Sequence, residues 1–329
     1  MWFLAGRGLR YLMRDPPIPV LVINLDQSSD RLTFMRQQAE RVGLEFERIP
    51  AVDALDVPED LAGYFAHIQT GRLPIIDDGA VGCYASHLKA LRRFEKTDAP
   101  AALILEDDAL LPDNIVRVLD ELMAALPAGW GFVHLSRPPT HAFKPIAVLP
   151  GSRRLVRHSR MPPGAAGYLI SRAGSAKLLN KSILRFWAVD TDIRRPWVFG
   201  HDAYGVVPPP IQQLPMPTTI PKLRRSARRG LPRPTRFSWT NTPFQTPASL
   251  LFNLRQLGLA WWVRCAVINA AERFSRRAEG IARQALRDQE RPNAARRHVK
   301  DVCSDRCIEH VRPPEAREDL RNTKSASAQ

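Results

Sequence analysis

"IPVLVINLDQSSDRLTFMRQQAERVGLEFERIPAVDA", residues 18–54, changes its apolar rhythm twice within a short span. Its opening, "IPVLVINL" (18–25), is a continuous β-branched run, the pattern of a strand buried on both faces. "QSSD" then offers Ser28 and Ser29 as helix N-caps. Leu32, Met35, Ala39 and Val42 follow at helical steps, and Gly43 suits a left-handed helix stop. "LEFERIPAVDA" resumes strand character. A strand–helix–strand opening predicts an α/β fold, a Rossmann-type nucleotide-binding sheet flanked by helices. In such sheets ligands sit beyond the carboxyl ends of the strands.

The pattern continues downstream. "VGCYASHLKALRRFEKT" (81–97) places Val81, Tyr84, Leu88, Leu91 and Glu95 at helical spacing. "AALILEDDAL" (101–110) reads as a second buried strand, "NIVRVLDELMAAL" (114–126) as an amphipathic helix and "GWGFVHLS" (129–136) as a strand. "AAGYLISRAGSAKLL" (165–179) reads as a strand running into a helix with Ala176, Leu178 and Leu179 inward.

Glu106, Asp107 and Asp108 end the apolar run "ALIL", so a buried strand delivers three carboxylates to one place. Carboxylate oxygens suit a hard divalent cation, and a diphosphate completes such a coordination sphere. The period of two in a strand predicts Glu106 and Asp108 on one side as metal ligands, with Asp107 turned towards a ribose or a structural donor.

Charge divides the chain. Its 329 residues carry a formal +15, yet residues 1–220 hold 25 basic and 23 acidic side chains, whereas 221–329 hold 23 and 10. The basic third seeks anionic partners, either membrane headgroups or nucleic acid. From Lys222 to Arg236 there are seven basic and no acidic residues among many prolines, a composition that resists core formation. Beyond it, Leu250, Leu254, Leu257, Trp261, Cys265 and Ile268 form one helical stripe accompanied by Arg255, Arg264, Arg273, Arg276 and Arg277. That is the composition of an interfacial membrane helix, or of a helix packed on the body. The expected organisation is an N-terminal basic and apolar lead (1–17), a catalytic domain (18–215), a Pro/Arg-rich linker (216–245), a basic amphipathic helical region (246–290) and a flexible tail (291–329).

Four cysteines, Cys83, Cys265, Cys303 and Cys307, give no disulfide framework, as expected in a reducing compartment. "CSDRC" with nearby His310 lacks the further ligand of a convincing zinc site. "MWFLAGRGLRYLMRD" is broken by arginines and does not read as a signal peptide, and no stretch reaches transmembrane length. Membrane contact is therefore expected to be peripheral, at the cytoplasmic inner face.

Three blocks resemble glycosyltransferase family 25: "VLVINLDQSSDRLTFMRQQAERVGLEFERIPAVDA", "GAVGCYASHLKALRRFEKTDAPAALILEDDALL" and "GAAGYLISRAGSAKLL". That family includes bacterial lipooligosaccharide galactosyltransferases and collagen galactosyltransferases. The resemblance covers roughly residues 18–215 and implies a GT-A-like sheet, a UDP-sugar donor, a divalent metal (Mn2+ or Mg2+) and inverting transfer of a hexose, galactose first. It places Asn24, Leu25 and Arg31 by the donor nucleotide, aligns Ser86 and His87 with the family's "SH" pair, and matches Glu106, Asp107 and Asp108 to its acidic triplet. Asp190 in "FWAVDTDI" matches a downstream acid and is the expected base, with Asp192 and His201 as alternatives. Ala80 departs from the family, which carries a glutamate there. The implied acceptor is a saccharide, lipid-linked or in the lipopolysaccharide core. Two other classes remain open: a non-catalytic binding or adhesion module on the same fold, and a nucleic-acid binder acting through the arginines. No groove-reading motif accompanies those arginines.

Overall fold

Strand β1 (Val20–Asn24) is buried along its whole length because both sheet faces are covered. Leu21 and Ile23 join one apolar cluster with Tyr84, Ala85 and Leu88 of α3 (Asp78–Glu95). Val20 and Val22 join another, with Met35 and Ala39 of α1 (Ser29–Val42). Strand β3 (Ala101–Glu106) alternates likewise, Ala102 and Ile104 towards α3, Leu103 and Leu105 towards α1. That two-sided burial is why both strands are apolar without interruption. The computed structural model describes residues 18–53, 56–65, 78–215 and 246–275.

The main sheet has eight strands in the order β2-β1-β3-β8-β5-β9-β7-β6. The further members are β2 (Glu47–Pro50), β5 (Trp130–His134), β6 (Phe143–Leu149), β7 (Arg153–His158), β8 (Gly167–Ser171) and β9 (Asp202–Val207). β1 pairs in parallel with both β2 and β3. β8 lies antiparallel between β3 and β5, and β7 lies antiparallel between β9 and β6, so the other six strands share one direction. This is the α/β, GT-A-like nucleotide-binding sheet implied by the resemblance. The chain steps from β1 out to β2 and then back across to β3. The strand order therefore reverses between β1 and β3, the kind of switch point at which open α/β sheets take ligands beyond the carboxyl ends of their strands.

Several sequence expectations shift. α1 stops at Gly43, which takes the left-handed conformation (φ 69°) and donates back to Ala39 and Glu40. Ser28 occupies the N-cap position, but its side chain makes no capping bond. The expected strand 101–110 ends at Glu106: Asp107 and Asp108 form a turn, and β4 (Ala109–Leu110) pairs instead with β10 (Gln212–Gln213) in a separate two-stranded ladder. Helix α3 begins earlier and ends earlier than 81–97. Short α2 (Glu59–Ala62) precedes it, and α4 (Ile115–Ala125) covers the α1 side of the sheet.

Helix α5 (Arg172–Leu178) starts on Ser171, whose hydroxyl accepts from the Gly174 amide at 3.1 Å. That start directs Gly174, Ser175 and Leu178 inward and leaves Ala176 exposed, correcting the inward placement of Ala176. A Cβ on Gly174 would lie 2.2 Å from the carbonyl oxygen of Gly131 in β5. Because the obstacle is backbone, Gly174→Ala is expected to cost about 1–3 kcal/mol or more, read as a lower denaturation midpoint.

Among the described residues, those up to Asn269 belong to one compact unit and 270–275 to another. Within the first, α8 (Pro247–Leu257) opens with a capping box, Thr246 accepting from the Ser249 amide. Gly258 (φ 76°, ψ 157°) breaks the expected single stripe, and a new helical run begins at 259. Leu257 and Cys265 are buried, whereas Leu250, Leu254 and Ile268 are exposed. The lead 1–17, the linker over 216–245 and the tail with Cys303, Cys307 and His310 lie outside the described residues, as do Arg276 and Arg277.

Candidate active site

Where β1 and β3 end, four side chains lock together. Asn24 donates to Asp107 Oδ2 at 2.8 Å and to the Ser28 carbonyl at 3.0 Å. Its own carbonyl accepts from Arg48 Nε at 2.9 Å. Arg31, from the first turn of α1, donates to Asp107 Oδ1 at 2.9 Å, with both side chains largely buried. Asp107 is thus held on the α1 side with partners on both oxygens. Asn24 has both amide hydrogens and its carbonyl engaged, so it fixes the strand ends. Leu25 lies just beyond β1, half-buried, its carbonyl accepting from the Ser28 amide at 3.0 Å.

Glu106 points to the opposite side, that of α3. His87 Nε2 lies 3.2 Å from Glu106 Oε1, and His87 Nδ1 lies 3.0 Å from the Tyr168 hydroxyl on β8. Ser86, next along α3, donates to the Gly82 carbonyl at 2.7 Å and accepts from the Val52 amide at 2.8 Å. It ties the helix to the loop after β2 and is itself buried. Ala80 sits in the first turn of α3, packed against the same apolar cluster.

Asp108 stands in the turn between these two. One oxygen accepts from Gln213 Nε2 at 3.0 Å, while Oδ1 is buried without a hydrogen-bond partner. Burial raises the Asp108 pKa above the usual carboxylate value, the Gln213 bond opposes this, and the neighbouring Glu106 and Asp107 charges add to it. An orphaned, partly desolvated carboxylate oxygen beside a second carboxylate is the donor set that a divalent cation satisfies. The residues present fit such an ion.

Asp190 lies in α6 (Val189–Asp192), half-buried, and its charge is felt at Cys83 and at Arg194. Asp192 is committed elsewhere. It is buried, accepts from the Tyr84 hydroxyl and from Arg195, each at 2.9 Å, and burial raises its pKa to about 6 against the Arg195 charge. Behind it Arg185 is fully buried, donating to the carbonyls of Leu178, Ile183 and Asn180 and lying 4.8 Å over the Phe199 ring. Arg185→Ala would strip a buried cation from this network and is expected to cost about 3–5 kcal/mol, checked by equilibrium unfolding. His201 packs against Phe132 and against Phe199 of α7 (Pro196–Phe199). It is buried, and neither ring nitrogen has a hydrogen-bond partner. Of the three possible bases, Asp190 is the one that is not buried, and its charge acts on Cys83 as those of Glu106 and Asp108 do.

One residue escaped the sequence reading. Cys83, one helical turn before His87, faces the same corner: its sulfur, a His87 nitrogen and a Glu106 oxygen lie within 4.8 Å of one another. Burial and the charges of Glu106, Asp190 and Asp108 push its thiol pKa well up. The i, i+4 spacing in "GCYASH" was the available signal.

Comparison with known proteins covers this same region. The family profile described as glycosyltransferase family 25 (LPS biosynthesis protein) matches residues 18–193, which run from β1 through α6. A "Glycosyltransferase 25 family member" of Aedes aegypti is 27% identical over 178 residues, covering 50% of this chain and 28% of that protein. Its namesake in Anopheles gambiae is 25% identical over 176 residues, 50% of this chain and 29% of that one. A third, from Drosophila pseudoobscura pseudoobscura, is 27% identical over 173 residues, 49% and 26% respectively. The chain thus spans under a third of the length of these relatives. With the profile covering more than half of the chain, from the clamped β1–β3 edge to the helix of Asp190, the chain belongs to glycosyltransferase family 25.

Proposed function

We propose that this chain is an inverting glycosyltransferase that moves a hexose, galactose first, from a UDP-sugar to a saccharide acceptor. The observation that carries the reading is the split acidic turn at the carboxyl ends of β1 and β3. Asp107 is consumed by Asn24 and Arg31, while Glu106 and the orphaned Asp108 oxygen stay available to a divalent cation, Mn2+ or Mg2+. Such a cation, when bound, neutralises charge on the departing nucleoside diphosphate. Arg31 and Leu25 border the nucleotide side, Asn24 and Ser86 act as positioning residues, and Asp190 takes the acceptor hydroxyl's proton. Calorimetric titration of UDP-sugars with and without Mn2+ tests this. One UDP-hexose should bind tightly only with the cation; failure of every UDP-sugar to bind in either condition overturns the reading. The family description mentions lipopolysaccharide while the relatives above are insect proteins, so the acceptor is proposed as a glycan, with lipid-linked saccharides and the lipopolysaccharide core as members.

The same reading holds the enzyme at the cytoplasmic face of an anionic membrane. Asn253 and Gln256 of α8 bond back to Ser159 and Asp202 at 3.1 and 2.8 Å, so polar groups of the helix face the sheet. Leu251, Leu259 and Val267 are exposed, with Arg255 and Arg264 among them. Outward apolar side chains with interleaved arginines suit an anionic leaflet. Among the described residues no helix is long and apolar enough to cross a membrane. Co-sedimentation with phosphatidylserine-containing vesicles should exceed that with phosphatidylcholine alone and fall when residues 221–280 are deleted; equal recovery in all three conditions refutes the anchoring.

A further inference from the structure

We propose that Cys83, His87 and Glu106 form a second cation site, of the thiolate–imidazole–carboxylate kind that takes zinc, sharing Glu106 with the acidic turn. It goes beyond the proposed transfer reaction and stands without it, since it concerns binding by these side chains.

Three observations carry it. First, the donors converge: one sulfur, one ring nitrogen and one carboxylate oxygen lie within 4.8 Å of one another. Cys83 and His87 are one turn apart on α3 and so share a face, and Glu106 at the end of β3 meets that face. Three protein ligands with a fourth position left to solvent is the usual composition of an open zinc site, and sulfur plus imidazole selects zinc over the hard cations. Second, the histidine is already oriented. Its Nδ1 lies 3.0 Å from the Tyr168 hydroxyl, and Tyr168 is buried and stacked on Phe132 with ring centroids 5.0 Å apart. A hydroxyl both donates and accepts. Without an ion, Tyr168 donates to Nδ1 while Nε2–H donates to Glu106. With one, Nδ1–H donates to Tyr168 and the Nε2 lone pair turns to the metal. Both protonation patterns are satisfied without moving the ring, which is how ligating histidines are usually held. Third, the corner is reachable, since Glu106 keeps 23% of its side-chain surface open.

Sharing Glu106 has a consequence for the site as a whole. A zinc ion on Cys83 and His87 draws the carboxylate towards α3 and away from Asp108, so the two cations compete.

The test is a Co2+ titration of the chelator-stripped full chain, followed by its thiolate-to-cobalt absorption and its d–d bands. The background carries Cys303→Ser and Cys307→Ser, so that thiols near the C-terminus contribute nothing. One equivalent of Co2+ should produce a thiolate band with the intensity of a four-coordinate ion, and Zn2+ should abolish it. Cys83→Ser should remove the thiolate band. His87→Gln should weaken binding at least tenfold, with circular dichroism confirming that both variants fold. A band that persists in Cys83→Ser overturns the proposal. So does Co2+ binding that shows no thiolate band and is lost in Asp108→Asn, which assigns the ion to carboxylates only. The outcome separates from the transfer reading: a cobalt–thiolate band without binding of any UDP-sugar removes the transferase and leaves this site. Cation-dependent UDP-sugar binding without the band does the reverse.

Discussion

Glu106→Gln and Asp108→Asn should each lower cation-dependent hydrolysis of the UDP-sugar donor by about a hundredfold or more, the rate equivalent of several kcal/mol of lost charge stabilisation. Neither should unfold the protein. Asp108 has one oxygen without a partner, and the His87 ring that faces Glu106 can pair with a neutral amide as well as with a carboxylate. Asp107→Asn should behave differently. Its two oxygens accept from Asn24 and Arg31, so an amide there opposes one donor with another and leaves the Arg31 cation short of its counter-charge. The expected result is a fall in thermal midpoint, with activity lost in proportion to unfolding. Melting curves and donor hydrolysis measured together separate the two patterns. Equal loss of activity at unchanged stability in all three variants would assign Asp107 to the ligand as well.

Acid should unfold this protein early, between about pH 6 and pH 4. Burial lowers the pKa of His134 to about 4, against ring N–H hydrogen bonds to the Gly164 and Pro163 carbonyls that raise it. Burial lowers His158 to about 3, with neighbouring histidines adding, and lowers His201 to about 4, with Lys177 adding. The sign follows from proton counts. In this window the unfolded chain, with histidines near 6.5, binds more protons than the folded one, so stability is complete above about 6.5 and falls as pH drops. At about 1.4 kcal/mol per unit, His134 and His201 each contribute up to about 3–4 kcal/mol of loss and His158 up to about 5. Together they rival the whole stability of an ordinary domain. Asp192 acts in the opposite sense. Its pKa is raised to about 6, so its contribution is present at low pH and lost as pH rises through 6, which shallows the slope without reversing it. His201→Leu should flatten the profile, because it removes a buried ring whose two nitrogens have no partner. Urea midpoints measured from pH 7.5 to 4.5 in both proteins decide it; parallel curves would exclude His201.

How much of this was legible in the sequence depended on which faces each segment buries. β1, β3 and β8 are covered on both sides and wrote themselves as unbroken apolar runs. The hairpin of β6 and β7 lies at the sheet's edge and mixes arginines with half-buried residues, so "RRLVRH" gave no strand pattern. Helix ends were missed for local reasons, as where Ser171 rather than a later residue set the phase of α5. The end of β3 at Glu106 was hidden because Ala109 and Leu110 are as apolar as a continuing strand; their partner lies a hundred residues downstream. The acidic turn and His87 were singled out from position and resemblance. Cys83 was not: its i, i+4 spacing to His87 puts two donors on one helix face, but nothing local shows that the next strand brings Glu106 opposite them.

The pairing of β4 with β10 bears on where this body can be cut. Gln213 grips the Asp108 carboxylate, and the Leu214 amide donates to the Asp108 carbonyl at 2.9 Å. Both residues follow the family-matched stretch, which closes at 193. An excised fragment spanning 18–193 would keep every acidic residue of the turn and lose the clasp that shapes it, together with β9, on which β7 and β6 depend for their place in the sheet. The smallest excised piece that keeps this clasp therefore reaches at least to Leu214, whatever boundary sequence similarity suggests.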